Sequence, residues 1–179
     1  MTIDITTLRR RWGWTTLLAL IVMGALWALD THIKAASGYG VMDLEAATTA
    51  AGVNTITAAW TAASVAPRMG FLLGLDYLYM ASYGLALFYG GLAARDAFAK
   101  TPGRARQVLT VLAFAPLVGA AFDVVENAFE AKMLFAGATP QLACLAHVTT
   151  VTKFAFIAVG LVLSLAGLAG LFTGRLKRA

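Results

Sequence analysis

Val108–Glu130 reads VLTVLAFAPLVGAAFDVVENAFE, and the whole chain can be interpreted from it. No charged side chain occurs before Asp123, and a helix of about 20 such residues crosses the roughly 30 Å hydrocarbon core of a bilayer. Asp123, Glu126, Asn127 and Glu130 then follow at i, i+3, i+4 and i+7. In a helix that spacing gathers the carboxylates and the amide on one stripe, while Val124, Val125 and Phe129 cover the other sides. A stripe of this kind must face protein or water. Glu130 alone fits the solvated end of a helix; Asp123 lies about 15 residues into the span, too deep for that account.

Working outward, three more stretches are long and apolar enough to span. The predicted spans are about 12–31, 69–94, 108–130 and 142–172, within one domain covering 1–179. The chain is 60% hydrophobic and 13% charged, with mean hydropathy +0.76, values that exclude an ordinary soluble domain. The expected fold is an all-α integral membrane protein: a four-transmembrane-helix bundle with a partly helical outer loop, 32–67, between helices 1 and 2.

Charge sets the expected orientation. Arg9, Arg10 and Arg11 precede the first span, Arg95, Lys100, Arg104 and Arg106 join the second to the third, and Arg175, Lys177 and Arg178 follow the fourth. The positive-inside rule puts these in the cytoplasm, giving N-in, C-in topology in a bacterial-type inner (plasma) membrane. Of the nine acidic residues, all but Asp4 and Asp96 then fall toward the other face. The pI of 9.7 reflects anchoring to anionic headgroups rather than nucleic-acid binding. A basic stretch followed by the apolar run from Trp14 reads as an uncleaved signal-anchor, and the lone Cys144 rules out an intrachain disulfide.

The outer loop has a turn at Gly38–Gly40 and an Ala/Thr-rich run from Asp43 to Ala63, which predicts one or two short helices with Trp60 as an interfacial anchor. Small residues at helix-packing spacing (Gly70 and Gly74, Ala86 and Gly90, Gly160 and Ser164, Gly170 and Gly174) mark close approaches between helices. Pro116 predicts a kink in the third span.

Intramembrane ionisable groups are costly and mark function by default. The expected catalytic set is Asp123, Glu126, Asp76, His147 and Lys153: Asp123 and Glu126 act as general acid/base or metal-binding groups, Asp76 and His147 support them, and Lys153 stabilises negative charge. Asn127, Tyr79 and Tyr83, with Asp30 and His32 at the end of the first span, are expected to bind substrate. A divalent cation is open as a cofactor, with Asp76, Asp123, Glu126 and His147 as candidate ligands. Three carboxylates at membrane depth, Asp76, Asp123 and Glu126, exceed the single Lys153, so further compensation is needed.

These residues favour an enzyme that opens outward and acts on a lipid or amphiphilic substrate. The alternatives are a proton- or cation-coupled transporter or channel, or an accessory subunit of a membrane complex. The inner halves of the spans read as almost entirely apolar, which counts against a conduction path. Membrane lipids are the expected partners, with no nucleic acid, and a homo-oligomer or larger membrane complex is compatible with the small size.

Overall fold

A computed structural model describes residues 4–99 and 102–176. Its described residues form seven helices and no strand: α1 (Ile5–Ser37), α2 (Val41–Glu45), α3 (Ala50–Ala62), α4 (Ala66–Phe98), α5 (Arg104–Ala113), α6 (Ala115–Ala136) and α7 (Pro140–Phe172). Four stretches of 33 residues each, α1, α4, α5 with α6, and α7, are long and apolar enough to cross a membrane. The chain is a multi-pass membrane protein. Each stretch is about 50 Å long at 1.5 Å per residue, beyond the hydrocarbon thickness. They outrun the predicted spans because nothing breaks the helix where the apolar run stops. Gly38 (φ +85°) ends α1, its N–H bonded to the Lys34 carbonyl at 2.8 Å, and Gly137 (φ +83°) ends α6 with its N–H on the Met133 carbonyl at 3.0 Å. Both are left-handed caps that suit glycine.

The third span is interrupted at Phe114, between α5 and α6. The Phe114 N–H bonds the Val111 carbonyl at 3.0 Å, a tighter turn than the α-helix, two residues before Pro116, which has no N–H to continue the ladder. The proline's effect thus appears on the turn ahead of it.

The chain divides into two compact units, and α1, α4, α7 and the third span contribute a segment to each. The termini unit comprises Met1–Leu20, Ala81–Ala121 and Lys153–Ala179. Its apolar core joins Leu8, Phe88, Leu92, Ala93, Ala97, Ala113 and Leu176. Here α4 and α7 touch through backbone. A Cβ added at Gly167 would sit 2.5 Å from the Gly90 carbonyl oxygen and 3.0 Å from the Ala94 nitrogen; one at Gly160 would sit 2.8 Å from Pro116 Cβ, and one at Gly170 would sit 2.5 Å from Ala97 Cβ. Small residues permit this approach, which supplies helix association in lipid. Gly90, Gly160 and Gly170 pack as their spacing predicts, and Gly167 joins them. Gly74 differs, with nothing within 4 Å of its added Cβ.

Arg95 departs from its predicted place in a loop. It lies within α4, 1% exposed, with Nε 2.8 Å and Nη2 3.0 Å from the two carboxylate oxygens of Asp96. Arg106 closes the group, 2.8 Å from Asp96 Oδ1 and 2.9 Å from the Ala99 carbonyl. A fork-to-carboxylate pair of this kind tolerates burial better than a lone charge. Ser82 and Tyr83 are buried in the same unit, so its helices are less purely apolar than their sequence suggests. Lys100, Lys177 and Arg178 lie outside the described residues.

The loop unit comprises Ile21–Met80 and Phe122–Thr152. Of the one or two short helices expected in the loop, two are present. Val53, Ile56 and Trp60, at i, i+3 and i+7 of α3, pack into a core with Ile33, Leu44, Met69, Leu72, Leu73 and Met133. The interfacial role predicted for Trp60 is corrected: the residue is wholly buried, and its indole N–H donates to the Tyr39 carbonyl at 2.8 Å. With its one polar atom satisfied by backbone, the ring no longer needs water. Asn54 ties α3 to the α6–α7 connection, its Oδ1 accepting the Ala138 N–H at 2.9 Å.

Two acids hold the start of α2. Asp30 accepts the Val41 N–H at 2.7 Å, and Asp43 accepts the Gly40 N–H at 2.7 Å and Lys34 Nζ at 2.9 Å. The Gly40 N–H bond and then Lys34 hold the Asp43 carboxyl below its ordinary 3.8. A lowered value stabilises the fold above about pH 3.8 and ceases to do so as pH falls through the folded value. Protection of the Gly40 amide against exchange is therefore expected to fall as pH drops below about 3.8 in the native protein, and to be low at neutral pH in Asp43→Asn. Protection unchanged across that range would disprove the role.

Candidate functional site in the loop unit

The stripe read from the sequence turns inward. Asp123, Glu126, Asn127 and Glu130 are buried at 5%, 1%, 3% and 3% exposure, while Val124 and Val125 on the opposite side are exposed. The helical period alone separates the two faces. Glu130, read as the solvated end of a helix, is corrected: α6 continues to Ala136 and the residue lies inside. Its place on the stripe, one turn beyond Glu126, was the signal that should have decided its environment.

Asn127 fastens α6 to α4, its Nδ2 donating to the Leu73 carbonyl at 2.8 Å in a buried setting. Thr150, one turn after His147 on α7, meets Glu126: its hydroxyl lies 2.7 Å from Glu126 Oε1 and 2.9 Å from the Ala146 carbonyl. Thr149 lies 2.7 Å from that same carbonyl. A threonine hydroxyl carries one proton. When Glu126 is ionised, Thr150 donates to it; when Glu126 carries a proton, the carboxyl donates to Thr150 and the hydroxyl turns to Ala146. Both protonation states fit the same heavy-atom positions. Thr150 is easily passed over in the sequence, because a hydroxyl in a helix usually bonds its own preceding turn.

Replacing Thr150 with Val removes one hydrogen bond from a buried carboxyl, which is expected to cost about 1–3 kcal/mol. Thr150→Ser, which keeps the hydroxyl, is expected to melt near the native temperature in detergent. Equal losses for the two would show that the methyl packing, not the bond, matters.

The other predicted residues are distributed as follows. His147 is partly exposed, but its Nδ1 is buried and has no hydrogen-bond partner among the described residues. Asp76 and Tyr79 are partly buried on α4, and neither is without a partner. Asp30 serves the start of α2 as described, and His32 is exposed. Tyr83 and Lys153 belong to the termini unit, where both are buried and the Lys153 ammonium stands 5.2 Å from the centroid of the Phe154 ring, a favourable cation–π distance. Among the described residues no group of three or more His, Cys, Asp or Glu side chains is arranged to hold a metal ion. Asp76, Asp123, Glu126 and His147 therefore do not form such a group.

Comparison of the chain with family models, with curated proteins and with solved structures found no match.

Proposed function

We propose that the protein is a membrane-embedded acid/base enzyme acting on a lipid or amphiphilic substrate, with its site in the loop unit. The observation that supports this most is the Glu126–Thr150 contact of 2.7 Å, with Ala146 as the alternative acceptor. A general acid/base must hold and release a proton without rebuilding its surroundings, and this arrangement accommodates either state. Glu126 gives or takes the proton. Asp123, one turn earlier on the same stripe, is the second carboxyl. His147 Nδ1, buried and unbonded, accepts a hydrogen bond from a substrate hydroxyl or amine. Asn127 positions α6, and Asp76 and Tyr79 line the α4 side. The reaction class is proton transfer to or from an oxygen or nitrogen of the substrate, with a water or substrate group as nucleophile.

The same proposal carries N-in, C-in topology in a bacterial-type inner membrane, with loop 32–67 outward. Arg9, Arg10, Arg11, Arg104, Arg106 and Arg175, all in the termini unit, support it by the positive-inside rule.

A second reading, a proton- or cation-coupled transporter, is favoured by one observation: Ser82, Tyr83, Arg95 and Lys153 are buried polar residues of the termini unit, so neither unit lacks them. Purified protein in liposomes separates the two. The enzyme reading expects a new lipid or amphiphile product and no carboxylate-dependent flux under an imposed proton or cation gradient. Flux without chemical change would replace it with the transporter.

A further inference from the structure

The termini unit contains a cleft of about 530 Å³, lined by Phe98, Ala99, Pro102, Gly103, Arg104 and Arg175 among others. Among the described residues the charge around it is one-sided. Asp96 is the carboxylate nearby, and it is shared by Arg95 and Arg106 at 2.8 Å each. Arg104 and Arg175 make no ion pair among the described residues. The Arg175 guanidinium is held 5.1 Å from the centroid of the Phe98 ring, at the mouth of the cleft, so part of the cost of ordering it is already met. Gly103, itself in the lining, caps α5 without a side-chain bond, and the positive end of the helix adds to the charge of the two cleft arginines.

The depth of the cleft indicates what kind of anion would occupy it. Val108, one turn beyond Arg104, is 55% exposed, and Phe172, just before Arg175, is 81% exposed. Exposed apolar side chains of this size belong in hydrocarbon, so the arginines stand at the level of lipid headgroups. We propose that this cleft binds the phosphate-bearing headgroup of an anionic membrane lipid, with Arg104 and Arg175 supplying the charge. A free phosphate shares the chemistry but gains nothing from the apolar rim.

The test uses the full chain in detergent with equimolar phosphatidylglycerol and phosphatidylcholine, the retained lipid being counted by native mass spectrometry. Phosphatidylglycerol is expected to be retained preferentially. The pair Arg104→Gln and Arg175→Gln is expected to lower its affinity about 30-fold, and each single change about five-fold. Arg10→Gln with Arg11→Gln removes the same charge outside the cleft lining and is expected to change it less than about two-fold. Both cleft arginines are exposed, so the variants should fold, and the single changes repeat the test if the pair does not. Equal retention of the two lipids, or an equal loss in the Arg10/Arg11 control, overturns the proposal. Millimolar inorganic phosphate that binds the lipid-free protein as tightly as the lipid, with the same dependence on Arg104 and Arg175, overturns the lipid as its source.

Discussion

Glu126→Gln is expected to lower turnover of a lipid or amphiphilic substrate by about 10²–10⁴-fold, with a detergent melting temperature close to that of the native protein. Gln retains an oxygen at the position that accepts the Thr150 hydroxyl at 2.7 Å and has nearly the same volume, so packing at this 1% exposed position changes little. What it loses is the ability to hold and release a proton. Asp123→Asn tests the second carboxyl in the same way, and a smaller loss is expected if it only tunes its neighbour. Full turnover in Glu126→Gln would remove that residue from the chemistry. Unchanged stability with turnover lost is the pair of results that a purely structural carboxylate does not give.

The largest effect on stability is expected at the α4–α7 seam. Gly167→Ala puts a methyl group 2.5 Å from the Gly90 carbonyl oxygen and 3.0 Å from the Ala94 nitrogen. These are backbone atoms of a neighbouring helix and cannot rotate away, so the helices must separate, at a cost of about 3 kcal/mol. Gly74→Ala is the matched control: the added Cβ meets nothing within 4 Å, and the higher helix propensity of Ala makes the change neutral or stabilising by about 0.5 kcal/mol. Unfolding titrations in mixed micelles measure both. Equal responses from the two variants would mean that close approach at Gly167 is not what holds α4 to α7.

Periodicity carried the α6 stripe from sequence to structure, because a 3.6-residue repeat assigns faces whatever lies around the helix. It carried the number of spans as well. Helix ends were less legible: hydropathy follows the apolar run, whereas α1 stops at its left-handed cap, Gly38, beyond that run. Three residues were misplaced for one common reason. Arg95, Glu130 and Trp60 each have a side chain that suits a membrane boundary, and each is buried because of a neighbour distant in sequence or a helix that runs on. Trp60 finds Tyr39, 21 residues earlier, which no local pattern announces. Asp30 shows the same limit: no local pattern announces that Val41, 11 residues on, presents its amide to it.

The burial of α4 also bears on how the protein is made. In α4, 44% of the apolar stretch is buried, against 17% in α1, and the partners that cover it come later in the chain: Asn127 for the Leu73 carbonyl, Ser164 and Gly167 for Gly90. Synthesis runs from the N-terminus, so α4 enters the membrane before any of these exists. Its seam and its polar face must wait through the making of two more spans. A nascent chain stalled after Ala136 has one of those three partners, Asn127, and the seam closes only when the last helix has left the ribosome.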